Sequence, residues 1–228
     1  FISVDVLSML KAFDVSANSA GSQLLALGLT MFLAVLLGMG MPAVPAYINA
    51  ALLMGPMLVG LGLATFTAHM FIFYFAVASA ITPPVALAAF AASSITNADP
   101  MKTGFSAVKS GIVMFTIPFV FALYPELLLI DQAVIDPGTG AFFDGYDGQT
   151  DVAWLGFLMA RLALALYLVS SAMAAYDQRG LGRVQIAIRV ILAVLVMAKP
   201  VEIYAAAAVA GIGLIFAHGF VKGRKVAA

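Results

Sequence analysis

Two stretches hold residues whose order does not suit an unbroken helix: Gly38-Met39-Gly40-Met41-Pro42 and Ser79-Ala80-Ile81-Thr82-Pro83-Pro84-Val85. Pro83 and Pro84 lack an N–H, and Pro84 pushes Pro83 away from helical ψ. A helix arriving over 71–78 is expected to stop near Ile81 and Thr82. A new one is expected to start at Pro83 and Pro84, since proline suits a first helical turn. Such a break frees carbonyls at the end of one half-helix and N–H groups at the start of the next. In hydrocarbon each unsatisfied group costs several kcal/mol, so a break survives only where protein or a wet cavity covers it. The freed carbonyls, with the Ser79 and Thr82 hydroxyls, are hard oxygen donors suited to Na⁺. The N–H end and its positive dipole suit an anion. Gly38 and Gly40 permit a tight reversal with exposed backbone, the tip of a re-entrant hairpin. Gly-x-Gly alone more often marks a turn or close packing, and proline kinks are common in membrane helices. The two motifs together in one apolar block point to a transporter site.

The elements that must position these motifs belong in a bilayer. Of the 228 residues, 64% are hydrophobic and 10% charged, and the mean hydropathy is +1.09. Soluble chains carry about 25% charged residues. No Asp, Glu, Lys or Arg stands between Asp14 and Asp99. At about 20 residues for each ~30 Å crossing, that gap has room for about three or four membrane-depth segments. Apolar runs cover 22–37, 43–63, 68–94 (interrupted by the proline pair) and 104–124, where Pro118 predicts a kink. Further runs cover 154–176, with Trp154 and Tyr176 as interfacial anchors, then 184–198 and 201–220.

The expected organisation is therefore all-α and integral to the membrane. Residues 1–21 end a preceding segment. Residues 22–124 form half of a transport domain, with a re-entrant hairpin (22–63), a broken helix (68–96) and a following span (104–124). Residues 125–151 form an acidic extramembrane loop, and 152–228 hold C-terminal transmembrane helices and a basic tail. The loop contains Glu126, Asp131, Asp136, Asp144, Asp147 and Asp151 and no basic residue. Arg179, Arg183, Arg189 and the tail place the C-terminus in the cytoplasm by the positive-inside rule, and the acidic loop outside. Lys102 and Lys109 then mark a cytoplasmic start for 104–124, so 68–94 runs inward and the hairpin enters from outside. The start at Phe1 predicts a piece of a longer protein.

Other functions find little support. The chain has no cysteine, and His69 and His218 stand far apart. A net charge of zero predicts no nucleic-acid partner. No nucleophile–base pair, P-loop or dinucleotide fingerprint is present, so no enzyme is expected. Asp144-Gly-Tyr-Asp147-Gly has only a superficial likeness to a Ca²⁺ loop. Asn49 is read as a helix-to-helix hydrogen bond or a third polar ligand, and His69 as interfacial. Arg161 is expected to snorkel outward or pair with an acidic loop residue, and Glu202 to pair with Lys199. The methionines at 39, 41, 54, 57 and 70 read as core filling.

LGMGMPAVPAYINAALLMGPMLVGLGL, followed by HMFIFYFAVASAITPPVALAAFAASSITNADPMKTGF, resembles the large membrane subunit of TRAP (tripartite ATP-independent periplasmic) transporters. More narrowly it resembles the forms in which small and large membrane subunits are fused. The likeness is strong over 22–130; residues 150–228 resemble the extra C-terminal spans of fused forms. It implies an elevator-type, Na⁺-coupled importer of organic acids in the bacterial inner membrane, fed by a periplasmic solute-binding protein. This chain would hold the second of two inverted repeats, with the first hairpin, the first sodium site and the small subunit upstream. Carried over, one sodium site would use Gly38 and Gly40 through their carbonyls, with Ser79, Thr82 and Val85 opposite. The substrate would lie by Met41, Pro42, Pro83 and Pro84. Two departures stand out: Ser79 occupies a position that is often Gly, and Met41-Pro42 stands where an Asp or Asn often follows the Met. The alternative reading is a membrane anchor or scaffold subunit without a site; an intramembrane enzyme lacks a catalytic pair.

Overall fold

The computed structural model describes residues 20–135, 142–145, 151–177, 180–198 and 200–223. It is a helical integral membrane protein that divides into two compact units, one of residues up to 108 with 117–149, the other of 109–116 with 150 onward.

In the first unit, α1 (Ala20–Gly38), α2 (Ala43–Gly60) and α3 (Thr65–Ala78) pack on one another. Small buried residues such as Ala26, Ala34, Ala46, Ala50 and Ala68 let the helices approach closely. Phe71 and Phe75 on α3 meet Phe119 edge to face, with centroids 5.3 and 5.8 Å away. After α3 come a 3₁₀ turn (Ser79–Ile81), an irregular stretch, and α4 (Leu87–Thr96). α4 ends on Asn97 in the left-handed region (φ 55°), and Ala98 N donates to Ser93 O at 3.1 Å. α5 (Pro100–Ser110) follows, its first turn capped by Asp99, whose Oδ1 accepts from Lys102 N at 2.8 Å.

The span expected over 104–124, with its kink at Pro118, is two helices that break earlier. α5 and α6 (Ile112–Leu123) meet at Gly111 with a bend of 43°. Gly111 is a weak point in a helix, while Pro118 sits inside α6. α5 is amphipathic, with Lys102 and Lys109 exposed, whereas α6 is apolar. The segment expected as a loop contains a short antiparallel pair, β1 (Asp131–Ile135) and β2 (Phe142–Gly145), with Val134 opposite Phe143 and Ile135 opposite Phe142. β-Branched and aromatic residues between turn signals account for it. Asp136, Asp147 and the Ca²⁺-loop likeness lie at least partly outside the described residues.

The second unit contains α7 (Val152–Ala174), α8 (Arg183–Val196) and α9 (Val201–Gly223). Asp151 caps α7, accepting from Ala153 N and Trp154 N at 3.0 Å each. Among the described residues, α2 and α7 are long and apolar enough to cross a membrane, and the bent α5–α6 pair qualifies if taken as one span. Large apolar side chains such as Phe32, Leu52, Leu53 and Val194 lie exposed. Lipid is their natural solvent.

Two buried arginines depart from expectation. Arg161 does not snorkel outward but is buried. It bends onto the end of α8, donating Nε and Nη2 to Val196 O (3.1 and 2.9 Å) and Nη2 to Ala198 O (2.9 Å). The Tyr204 ring stacks 3.9 Å from its guanidinium carbon. The last carbonyls of a helix need donors, and a guanidinium meets that need while keeping its charge beside the negative dipole end. Arg189 is fully buried and pairs with Asp177 at 2.6 Å, with Ser171 Oγ accepting from Nη1 at 2.7 Å and Tyr167 OH donating to Asp177 at 2.6 Å. A charge grouped with a basic surface cluster is thus an internal tie between α7 and α8. Lys199 lies outside the described residues, and so does its expected pairing with Glu202.

Candidate functional site

The first motif closes a sharp reversal. α1 ends at Gly38, whose carbonyl accepts from Met41 N at 3.2 Å. Gly40 sits at φ +76°, a conformation that costs other residues about 1–2 kcal/mol. Pro42 is extended (φ −60°, ψ 154°) and leads into α2, with Ala46 N donating to its carbonyl at 3.1 Å.

The second motif breaks the helix where the prolines require it. The 3₁₀ turn tightens the end of α3, and Thr82 N donates to Ser79 O at 3.2 Å. Thr82 is extended (φ −96°, ψ 121°). The Pro83–Pro84 bond is cis. Helix resumes at Leu87, not at the prolines. Thr82, which precedes Pro83, is turned away from helical ψ, and a proline following Pro83 disfavours helical ψ there too, so two successive prolines make a longer non-helical stretch than one would.

The two motifs meet residue by residue. Gly38 is buried against the break: a Cβ there would lie 2.8 Å from Ser79 Cβ, 3.2 Å from Ala76 O, and closer still to Ser79 Oγ. A Cβ on Gly40 would lie 3.6 Å from Val85 Cγ1. Close approach of this kind needs a residue without a side chain.

The oxygens are neutral. Ser79 is buried, its Oγ donating to Ala76 O at 2.6 Å. Thr82, half-buried, donates Oγ1 to Ala78 O at 2.7 Å. Each hydroxyl gives its proton to a carbonyl near the end of α3 and keeps lone pairs free to accept. The carbonyls of Gly40, Thr82 and Val85 receive no hydrogen bond from the described residues. Orphan carbonyls and hydroxyl lone pairs fit a hard monovalent cation, and no titratable group is needed to bind it. Among the described residues no cluster of three or more His, Cys, Asp or Glu occurs.

Within the motifs, Pro42, Pro84 and Val85 are exposed, while Met41 and Pro83 are half-buried. Asn49, on α2, donates Nδ2 toward Met41 Sδ at 3.6 Å and so turns back to the hairpin tip. His69 is drawn into the packing of the arms: Tyr47 OH lies 2.8 Å from His69 Nδ1, tying α2 to α3. One residue next to the break escapes sequence reasoning. Gly104, on α5, packs on Pro83, and a lone glycine in a helix gives no signal of what it touches.

A family model for the DctM component of tripartite ATP-independent periplasmic transporters matches residues 2–134, a stretch that includes the hairpin, the break, α5 and α6. No curated protein and no solved structure matches the chain.

Proposed function

The chain belongs to the DctM-component family of tripartite ATP-independent periplasmic transporters, and from that premise we propose that it is part of the permease of a Na⁺-coupled importer of organic acids. The observation that carries the reading is the contact of the two chain breaks, Gly38 on Ser79 and Gly40 on Val85. In this reading the carbonyls of Gly38, Gly40, Ser79, Thr82 and Val85, with the two hydroxyls, hold the ion. The C-terminal ends of α1 and α3 point their negative dipole ends toward it. The N-termini of α2 and α4 lie beyond, beside Met41, Pro42, Pro83 and Pro84, and offer N–H groups to a carboxylate.

The coupling follows from charge. A cation held only by neutral dipoles leaves a net positive site, which favours an anion nearby. By linkage the anion raises sodium affinity by the same factor. A periplasmic binding protein would deliver the acid, and a small membrane subunit would complete the permease. The unit bearing the breaks would move as an elevator in the inner membrane, with the C-terminus in the cytoplasm.

Uptake by the complete transport system tests this. Thr82→Val removes a hydroxyl and keeps the shape. It should raise the sodium concentration needed for half-maximal uptake about tenfold, the effect of losing one interaction of ~1.4 kcal/mol. Thr82→Ser should be milder. Unchanged sodium dependence, measured per folded protein, would contradict the assignment and favour a scaffold without a site.

A further inference from the structure

We infer that Gly104 is a positioning residue for the cation site: by lacking a side chain it lets the backbone of α5 seat on the Pro83 ring and back the Thr82–Pro83 peptide. The inference rests on the sodium reading above and extends it to a helix outside the two motifs.

Gly104 is the buried residue of α5; Lys102, Phe105, Ser106 and Lys109 are exposed. A Cβ at 104 would lie 2.9 Å from Pro83 Cγ, 3.6 Å from Pro83 Cδ and 3.7 Å from Ala86 Cβ. The Pro83 ring is not the free end of a flexible side chain. Its Cδ is bonded to the Pro83 nitrogen, which shares a planar amide with the Thr82 carbonyl. A push on the ring therefore moves an oxygen assigned to the ion. α5 is also held at its start, by the left-handed cap at Asn97 and by Asp99 accepting from Lys102 N. Whether the ring yields or α5 lifts away, the peptide loses its backing.

The test uses the purified full-length permease and its complete transport system, with sodium alone as the probe. Sodium-dependent thermal stabilisation gives a half-saturating concentration independent of transport, and uptake gives a second. Gly104→Ala should raise both by about threefold or more, within the coupling expected between groups in contact. Pro83→Ala removes the ring that the new methyl would meet. Adding Gly104→Ala to Pro83→Ala should then cause little further rise. No rise with Gly104→Ala alone, or the same rise in both backgrounds, overturns the inference. If Gly104→Ala does not fold, recovery of folded protein in the double variant supports it, and failure of the double to fold overturns it. Thr82→Val separates the two levels. A shift with Thr82→Val and none with Gly104→Ala sinks this inference alone; no shift with Thr82→Val sinks the sodium assignment beneath it.

Discussion

Glycine and proline act through the backbone, so their message is local. That is why Gly38, Gly40, Thr82 and Pro83 were legible in the sequence. Their partners were not: nothing in the order of residues says that Gly38 touches Ser79 rather than lipid. The contact makes a sharp prediction. Gly38→Ala should destabilise the protein by about 1–3 kcal/mol through overpacking against Ser79. Gly28→Ala, also on α1 and with nothing within 4 Å of its would-be Cβ, should be neutral or gain up to about 1 kcal/mol. Thermal unfolding of the two variants checks it, and equal effects would deny the contact. The arginines teach the opposite lesson. Arg161 answers carbonyls that only the folded α8 leaves unpaired, a need invisible in a linear chain. Arg161→Met should cost about 1.5–3 kcal/mol, and Arg161→Lys should restore little, because an ammonium cannot span Val196 O and Ala198 O as a planar fork does. Unfolding midpoints for the two variants would separate a helix-capping role from a mere charge.

At the scale of elements, the hairpin and the broken helix were readable because prolines, glycines and the absence of charge mark them. The restart at Leu87 was not, since the effect of two successive prolines on the residues before them outweighs proline's preference for a first turn. The 43° bend at Gly111 was missed because apolar periodicity continues past it. The strands were missed because turn residues dominate the segment that holds them. The turn between α4 and α5 carries its own prediction. Asn97 has φ 55°, so Asn97→Gly should be neutral or slightly stabilising. Asn97→Val should lose about 1–2 kcal/mol. Hydrogen exchange at α4 and the start of α5 should rise only in the valine variant; a rise in neither would show the cap to be dispensable.

For the whole molecule, composition points to the bilayer as solvent, and charge distribution predicts an orientation. The exposed leucines and phenylalanines of both units agree with the first of these. The second awaits a direct reading, for which the absence of cysteine gives a clean background. A cysteine at Thr139 should react with an impermeant thiol reagent in intact cells, and one at Gly180 only after the membrane is opened; the reverse pattern would invert the topology. The central claim concerns what the two breaks hold. An experimental density map of the full permease in sodium, set beside one in potassium, tests it most directly. The account predicts a sodium-specific peak between the Gly38–Gly40 tip and the Ser79–Val85 break, ringed by their oxygens. A continuous helix through Thr82, or apposed tips with no such peak at saturating sodium, would contradict it.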